Sequence, residues 1–235
     1  MKRLRFSRTG DIVPEKRAKR SEEREYRSME RIHSDVMRLI EEKQVVQNDT
    51  TVLDCACGSG ILSGKMLEKY PFLRDKIVML DIEKIKLPLD GASFIQGDLD
   101  KGIELPDNSF DLIISIETIE HLLNPGLFLK EISRTVKLGG QLIITTPNIH
   151  NIFSRILFLL TGELQWYREW CIAQRGGHVF PINEVCLKKI LLLNGFEILD
   201  MFTTTGRILG TQVVIPIRGR FWGEVWICWA RKGEG

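Results

Sequence analysis

The amino-acid sequence predicts an α/β fold that is built on a doubly wound, mainly parallel sheet. A short apolar run, Val52-Leu53, ends in the carboxylate of Asp54, and Gly58 and Gly60 follow directly. An apolar series at helical spacing comes next: Ile61, Leu62, Met66 and Leu67. This pattern indicates a strand, a tight turn and a helix. In such sheets a ligand lies beyond the carboxyl ends of the strands, where glycine lets the backbone approach it closely.

Composition sets limits on the class of protein. A chain of 235 residues with 43% hydrophobic content can bury one sizeable core, so we expect one domain with appendages. The net charge of +2 argues neither for nor against a nucleic-acid partner. Five irregularly spaced cysteines without a secretory signal favour a reduced, cytoplasmic protein. The apolar run at residues 156–160 is too short for a transmembrane segment.

The first 48 residues are predicted to form a basic tail and an amphipathic lid helix, ahead of a main domain at residues 49–235. The basic residues of the tail are Lys2, Arg3, Arg5, Arg8, Lys16, Arg17, Lys19, Arg20, Arg24 and Arg27. A solvated tail and an electrostatic arm for an anionic partner both account for them. From about Glu22 the apolar residues keep helical spacing: Met29, Ile32, Val36, Leu39 and Ile40. This spacing predicts a helix lying on the main domain, across its ligand mouth.

The next two strands are also followed by acids. Residues 76–81 form an apolar run that ends in Asp81, which is placed to accept hydrogen bonds from ribose hydroxyls, as in dinucleotide-binding folds. The third strand is predicted at residues 93–96, too close behind the second for a full crossover helix. Asp98 and Leu99 follow it, and a carboxylate beside a free amide can bind adenine. A turn aspartate is the alternative.

The middle of the chain continues the alternation. A buried fourth strand is predicted at residues 110–116, directly before Glu117, Glu120 and His121. An amphipathic helix at residues 125–136 is expected to stop at Gly139-Gly140, before a fifth strand at residues 141–146.

Residues 148–180 do not fit this alternation, and their apolar and aromatic content predicts an inserted helical cap. Asn183 can cap a helix that runs to Asn194, and residues 196–203 form a further strand. A last strand is predicted at residues 221–230, with Trp222, Trp226 and Trp229 in the core.

Taken together these motifs resemble the class I S-adenosylmethionine-dependent methyltransferases over about residues 50–202. The motifs are residues 53–60, Asp81, residues 97–99, residues 108–111, residues 117–122, residues 138–140 and residues 146–148. The resemblance implies a Rossmann-like, mostly parallel seven-stranded sheet whose last strand is antiparallel. Ala56 stands where the usual signature has glycine, and the short second crossover departs from the family at the wall of the adenine pocket.

The resemblance also implies S-adenosylmethionine as cofactor and S-adenosylhomocysteine as product. The cofactor-binding residues would be Asp54, Cys55, Ala56, Gly58, Gly60, Asp81, Ile82, Asp98, Leu99, Ser115 and Ile116. Asp54 would lie near the methionine amino group, Asp81 at the ribose, and Asp98 at adenine. Transfer is an in-line displacement at a sulfonium methyl, so the protein mainly orients the reactants and excludes water.

The catalytic candidates are Glu117, His121 and His178. Together with Glu120 they resemble both the ubiquinone-biosynthesis O-methyltransferases and the small-RNA 2′-O-methyltransferases, which hold a divalent ion with a similar set. If a helix began at Glu117, its side chain would share one face with Glu120 and His121 and could bind such an ion. In a metal-free site His121 is a packing residue or a general base for a hydroxyl, and His178 fixes the cap. The metal ligands stay open.

The leading hypothesis is O-methylation of a small hydroxylated acceptor with an apolar part: a phenol, quinone precursor, polyketide or lipid-linked glycan. RNA 2′-O-methylation is the second, with a basic channel from the N-terminal region and from Arg168, Arg175, Arg207, Arg218 and Arg220. A nicotinamide oxidoreductase is disfavoured because the third glycine of its fingerprint is missing. A catalytically inactive binding module is disfavoured because all three strand-end acids are present.

Overall fold

The computed structural model describes residues 15–85, 89–167, 177–207 and 213–233, without the side chains of residues 15–28 and Arg207. The described helices are α1 (Glu15–Glu42), α2 (Ile61–Lys69), α3 (Pro125–Thr135), α4 (Ile152–Thr161) and α5 (Glu184–Leu193). The described strands are β1 (Val52–Cys55), β2 (Ile77–Asp81), β3 (Ala92–Gln96), β4 (Phe110–Ser115), β5 (Val136–Pro147), β6 (Phe196–Thr203), β7 (Gly206–Arg207), β8 (Val214–Ile215) and β9 (Val225–Lys232).

The main sheet has seven strands in the order β3-β2-β1-β4-β5-β9-β6. Strand β9 is antiparallel to both of its neighbours, and the other pairings are parallel. The predicted fold class is therefore confirmed, including the antiparallel last strand. Strands β1 to β5 all finish at one end of the sheet, which we call the carboxyl end. Strands β7 and β8 form a separate hairpin.

Helix α1 packs on one face of the sheet and gives the chain its longest helical element. Ile32, Val36, Leu39 and Ile40 are buried in the same cluster as strand residues of β1 and β2. Burying each of these side chains stabilises the fold by roughly 1.5–3 kcal/mol. The helix begins at Glu15, earlier than the apolar periodicity predicted. No helix among the described residues is long and apolar enough to cross a membrane.

Two landmarks fix the direction of α1. Arg31 pairs with Glu224 at 2.8 Å, and Glu224 immediately precedes β9, whose first residue pairs with Pro147 at the carboxyl end of β5. The chain leaves the other end of α1 through the buried Val45 and Val46 towards the start of β1. Helix α1 therefore runs from the carboxyl end of the sheet to its amino end, and its first half lies before Arg31.

Gly139 and Gly140 do not stop helix α3, as the sequence predicted. The helix ends at Thr135, and both glycines lie inside the long strand β5. The register between β4 and β5 jumps there, because Phe110 pairs with Val136 whereas Leu112 pairs with Gln141. Gly139 has a φ of 75°, and a Cβ on Gly140 would lie 2.8 Å from the carbonyl oxygen of Lys137. The glycines thus permit an irregular excursion within a strand.

The last strand also begins later than predicted. It starts at Val225, and Phe221 and Trp222 lie outside it with exposed side chains. Trp226 is buried as expected, but Trp222 is 38% exposed and is not a core residue. The predicted strand β6 and the helix capped by Asn183 are confirmed, since Asn183 Oδ1 accepts from the Val185 and Cys186 amides. No helix occurs between β2 and β3 in the described part of that crossover.

Candidate active site

The loop after β1 turns sharply through three left-handed residues. Ala56, Gly58 and Gly60 have φ values of 63°, 55° and 76°. The Ala56 and Cys57 amides donate to the carbonyl of Leu80, which fixes the loop to the end of β2. No atom lies within 4 Å of the position that a Cβ on Gly58 would occupy, so the loop backbone faces open space. Helix α2 begins directly after Gly60 and directs its amino terminus towards this space.

Asp54 lies under this loop and is buried. Its Oδ2 accepts a hydrogen bond from the Ser63 hydroxyl at 2.6 Å. Burial raises the pKa of the Asp54 carboxyl to about 6, and Asp81 nearby adds to the effect. Burial likewise raises the pKa of the Cys57 thiol to about 12, so this cysteine is no thiolate nucleophile at neutral pH.

Asp81 ties the loop to the tip of β2. One of its oxygens accepts from the Gly58 amide at 2.8 Å and the other accepts from the Glu83 amide at 2.9 Å. Ile82 follows it with 60% of its surface exposed. A carboxylate beside an exposed apolar side chain suits a ligand that joins a sugar to an aromatic base. Cofactor binding by these residues stays a prediction.

Asp98 follows β3 at the same end of the sheet. Its Oδ1 accepts from the Asp100 amide at 3.1 Å, and its Oδ2 lies 3.0 Å from the Lys101 ammonium. The hydrogen bond from Lys101 lowers the pKa of the Asp98 carboxyl, so this acid is ionised at neutral pH. Leu99 is buried beneath it. Asp54, Asp81 and Asp98 thus lie at the ends of three adjacent strands.

Ser115 and Ile116 lie where β4 ends, beside β1, and both are buried. The Ser115 hydroxyl is buried and has no hydrogen-bond partner among the described residues. Buried hydroxyls are rarely left unpaired, so this group is available to a ligand. Open space at Gly58, exposed Ile82 and the unpaired Ser115 hydroxyl together fit an adenosyl cofactor. The donor and acceptor types are those that its amino group, sugar and base require.

Glu117 begins the second half of the site in a strained conformation. Its φ is 49°, which is unusual for a residue other than glycine. Thr145 of β5 holds it there, because the Thr145 hydroxyl accepts from the Glu117 amide at 2.9 Å and donates to Glu117 Oε1 at 3.0 Å. No α-helix begins at Glu117, so the condition under which Glu117, Glu120 and His121 would share one helical face is not met. A short 3-10 helix at Ile119–His121 follows instead.

Glu120, His121 and His178 form the cluster that the structure does bring together. One ligand atom from each lies within 4.8 Å of the other two. The imidazole rings of His121 and His178 meet edge to face at 4.6 Å between centroids, and His121 Nε2 lies 4.0 Å from Glu120 Oε1. The amides of Val179 and Phe180 both donate to the Glu120 carbonyl and so place His178 here. Glu117 is not a member of this group.

The carboxyl groups of Glu117 and Glu120 are buried, and burial disfavours their charged forms. Burial raises the pKa of Glu117, and neighbouring Glu224 raises it further. Burial also raises the pKa of Glu120 well above its ordinary value, and the charge of Glu117 adds to this. The pKa of His178 is lowered to about 4 by burial and by His121, so His178 is neutral at pH 7. Protons are therefore retained on carboxyls beside a neutral imidazole.

Sequence reasoning missed several residues of this half. Thr145 fixes Glu117, Glu224 adds a third carboxyl paired with Arg31 of α1, and Tyr167 lies 5.2 Å from the His178 ring. The Tyr167 hydroxyl donates to the carbonyl of Phe180. The repeated threonine at the end of β5 was a usable signal. Nothing local marked Glu224, which is brought in by the antiparallel strand that follows it.

This fold, with acids at three strand ends and a glycine-rich loop, is that of the class I S-adenosylmethionine-dependent methyltransferases. The model of a family described as "Methyltransferase domain" matches residues 20–200. The chain belongs to this family, and S-adenosylmethionine is the cofactor that the family implies.

Two relatives and one structure illustrate the similarity. "N-methyltransferase 4" from Papaver somniferum is 29% identical over 143 residues, which are 57% of this chain and 39% of the relative. "Ubiquinone biosynthesis O-methyltransferase" from Maricaulis maris is 27% identical over 137 residues, 55% of this chain and 51% of the relative. A methyltransferase structure from Archaeoglobus fulgidus has a TM-score of 0.58 at 18% identity, covering 85% of this chain and 94% of that one.

The chain spans 32% to 54% of the length of the curated relatives it matches. These relatives carry names of both O- and N-methyltransferases. The similarity therefore supports an enzyme of the methyltransferase class and leaves the acceptor to be argued from the site.

Proposed function

We propose that the protein transfers a methyl group from S-adenosylmethionine to a hydroxyl of a small acceptor that has an apolar part. The observation that carries the proposal is the contact of His121 with His178 beside Glu120, at the carboxyl end of the sheet. Tyr167 and Trp166 lie around the His178 ring, with ring centroids at 5.2 Å and 6.5 Å. An imidazole base beside aromatic surface suits a phenolic or similarly apolar hydroxyl.

The cofactor supplies a methyl group on a positively charged sulfur. The chain's own residues then have three tasks. The strand-end acids Asp54, Asp81 and Asp98 bind and orient the donor. His121 accepts the hydroxyl proton as the oxygen-methyl bond forms and the sulfur-methyl bond breaks, which leaves a neutral thioether. Glu120 lies beside this ring, with its Oε1 4.0 Å from His121 Nε2, and helps to position the imidazole.

The test is His121→Gln, assayed with a panel of phenols, hydroquinones and other apolar hydroxyl acceptors. Loss of a general base should lower kcat roughly 10²–10⁴-fold while leaving calorimetric binding of S-adenosylmethionine unchanged. His150→Gln is a matched control, since His150 also contacts a carboxylate, with Nδ1 2.9 Å from Glu184 Oε2, but lies outside the cluster. Equal rates in wild type and His121→Gln would contradict the assignment of the base. Absence of S-adenosylmethionine binding would favour an inactive module.

A second candidate is N-methylation of an amine, and one observation favours it. This half of the site contains three carboxyl groups, those of Glu117, Glu120 and Glu224. The negative charge of Glu224 contributes to the raised pKa of Glu117, and that of Glu117 to the raised pKa of Glu120. Carboxyl oxygens can accept hydrogen bonds from the N–H groups of an amine. Acceptor pairs that differ only in carrying a hydroxyl or an amine at one position would separate the candidates, because the true acceptor should show the larger kcat/KM.

RNA 2′-O-methylation is less well supported. Arg168 and Arg175 lie outside the described residues, and so does the side chain of Arg207. Arg218 pairs with Asp35 and Arg220 pairs with Glu184, both at 2.8 Å, so each has a carboxylate partner. These pairs reduce the positive charge that a phosphate channel would need.

Glu120, His121 and His178 offer donor atoms that suit a divalent transition metal, which would lower the pKa of an acceptor hydroxyl. Such an ion would compete with the base role of His121. If a metal is required, a chelator should abolish turnover and spare cofactor binding; full activity in chelator would remove the ion from the mechanism.

The described cysteines carry free thiols, which supports the cytoplasm as the compartment.

A further inference from the structure

Helix α4 turns an apolar face outward at the carboxyl end of the sheet. Leu159 and Leu160 are 84% and 76% exposed, and Ile156 and Phe158 are about half exposed. The helix has one charged residue, Arg155, and no acid. Its buried contacts come from the other side, where Ser154 is enclosed and its hydroxyl accepts from the Gln165 amide. Exposing aliphatic groups in this way is costly unless another surface covers them.

The loop before β9 extends this apolar surface. The amide of Ile152 donates to the carbonyl of Phe221, which fixes the loop to the first turn of α4. Phe221 and Trp222 are exposed there, and the Arg155 guanidinium lies 5.0 Å from the centre of the Phe221 ring. We define the cap face by its apolar members: Ile156, Phe158, Leu159, Leu160, Phe221 and Trp222.

The charge carried by helix α4 is positive. Arg155 is exposed, and no carboxylate of the described residues forms an ion pair with it. The N-terminal half of α1 lies at the same end of the molecule, because Arg31 is at the carboxyl end and the helix continues from there back to Glu15. At 1.5 Å per residue this half extends roughly 24 Å beyond Arg31. Residues 1–27 contain ten lysines and arginines but only five acids.

We propose that the cap face docks on the surface of a membrane that contains anionic lipids. Aliphatic and aromatic side chains would enter the interface and Arg155 would lie against the negative headgroups, while the excess of basic residues in the N-terminal sequence would strengthen the electrostatic attraction. A second copy of the chain fits less well, because a symmetric contact would bring both sets of positive charge together. A nucleic acid fits less well, because the surface itself is apolar.

The docking surface also relates to the site, and this consequence rests on the proposed function. Val179 and Phe180 are exposed and directly follow His178, so apolar side chains are also exposed beside the imidazole pair. A membrane-bound protein could then take an acceptor whose apolar part stays in the bilayer. Membrane docking itself does not depend on methyl transfer.

The experiment compares co-sedimentation of the full chain with vesicles of phosphatidylcholine alone and of phosphatidylcholine with phosphatidylglycerol. We expect binding to the anionic vesicles, weaker binding at high salt, and on the order of tenfold or greater loss in Leu159→Ser/Leu160→Ser. Leu192→Ser/Leu193→Ser is the matched control. This pair is also exposed on a helix, at 58% and 72%, but lies at the end of α5 that leads into β6 at the amino end of the sheet.

Three results would overturn the proposal: no binding to anionic vesicles, equal loss in both double variants, or a dimer in solution that the Leu159/Leu160 variant abolishes. Because the substituted leucines are exposed, circular dichroism should show both variants folded. Methyl transfer to a water-soluble acceptor is measured on the same samples. Failure of that assay with vesicle binding intact would count against the proposed function alone, whereas intact transfer without vesicle binding would count against docking alone.

Discussion

The two halves of the carboxyl end hold their acids in opposite ways. On the proposed cofactor side, Asp81 and Asp98 lie near the surface and accept hydrogen bonds from backbone amides or a lysine. On the proposed acceptor side, Glu120 is fully buried beside Glu117, and the pKa values of both carboxyl groups are raised. The first arrangement keeps negative charge ready for a ligand's hydroxyl and amino groups. The second retains protons and places a neutral imidazole next to them.

This difference fits two proposed roles, cofactor binding on one side and proton transfer on the other. Binding a cofactor that carries a sugar and an amino group needs stable acceptors, which backbone amides can hold in place at little cost. Proton transfer needs groups whose protonation can change near neutral pH, and burial supplies that condition. Asp54 lies between the two cases, because it is buried but is stabilised by the Ser63 hydroxyl.

The largest expected effect in this comparison is a loss of cofactor affinity. Asp81→Ala should weaken S-adenosylmethionine binding by about 1.5–3 kcal/mol, because it removes a charged hydrogen-bond acceptor from the proposed ribose site. Titration calorimetry measures this directly. Asp90→Ala is the control, since Asp90 is exposed and pairs only with Arg74 among the described residues. Equal affinity in Asp81→Ala and wild type would place the ribose elsewhere.

The raised pKa values of Glu117 and Glu120 should make the free energy of unfolding depend on pH. Glu117 has a folded pKa of about 8 against an ordinary 4.5, and that of Glu120 is also raised, so the folded state keeps protons that the unfolded chain releases. Stability must then fall as pH rises towards 8, by on the order of 1.4 kcal/mol per pH unit for each retained proton. The unfolded chain protonates His33 and His178 below about pH 6.5, which opposes this slope, and the opposition fades as the pH rises above that value.

Glu120→Gln should flatten that slope, because it removes one retained proton. Urea unfolding at several pH values between 6.5 and 8 gives the measurement. Glu131→Gln is the control, because the pKa of Glu131 is lowered whereas that of Glu120 is raised. Hydrogen bonds from Arg134 lower the pKa of Glu131, so its loss should shift stability by a constant amount across this range and leave the slope unaltered. An unchanged slope in Glu120→Gln would show that Glu120 does not retain a proton in the folded state.

The smallest effect concerns Ala56 in the cofactor loop. Its left-handed φ of 63° is unfavourable for alanine, so Ala56→Gly should raise the free energy of unfolding by about 0.5–1 kcal/mol. Ala92→Gly, at the first residue of β3, should instead lower it by about 0.5–1 kcal/mol, because no positive φ is relieved there. Denaturant unfolding of both variants tests the pair. Destabilisation in both would mean that the loop relaxes around Ala56 without strain.

Some local patterns proved ambiguous even where the fold was predicted. Gly139-Gly140 follows a helical periodicity, and glycines there can end a helix or allow an irregular strand. Strand pairing selects the irregular strand here, because β5 hydrogen-bonds to β4 on both sides of the two glycines. The prediction that the last strand begins at Phe221 was wrong for a similar reason. Its first residues alternate like a strand, but β9 can pair only from Val225, where β5 offers Pro147 as a partner.

The sequence by itself determined the order of strands and helices, the glycine-rich loop and the three acids of the cofactor side. Each of those acids follows its own strand, and parallel strands bring their carboxyl ends together whatever lies between them. Only the tertiary structure decided the acceptor side. The positive φ of Glu117 depends on Thr145, and the position of His178 depends on two amides that bond to the Glu120 carbonyl. Such contacts join distant segments, and burial, which sets the pKa values there, is a property of the packed chain.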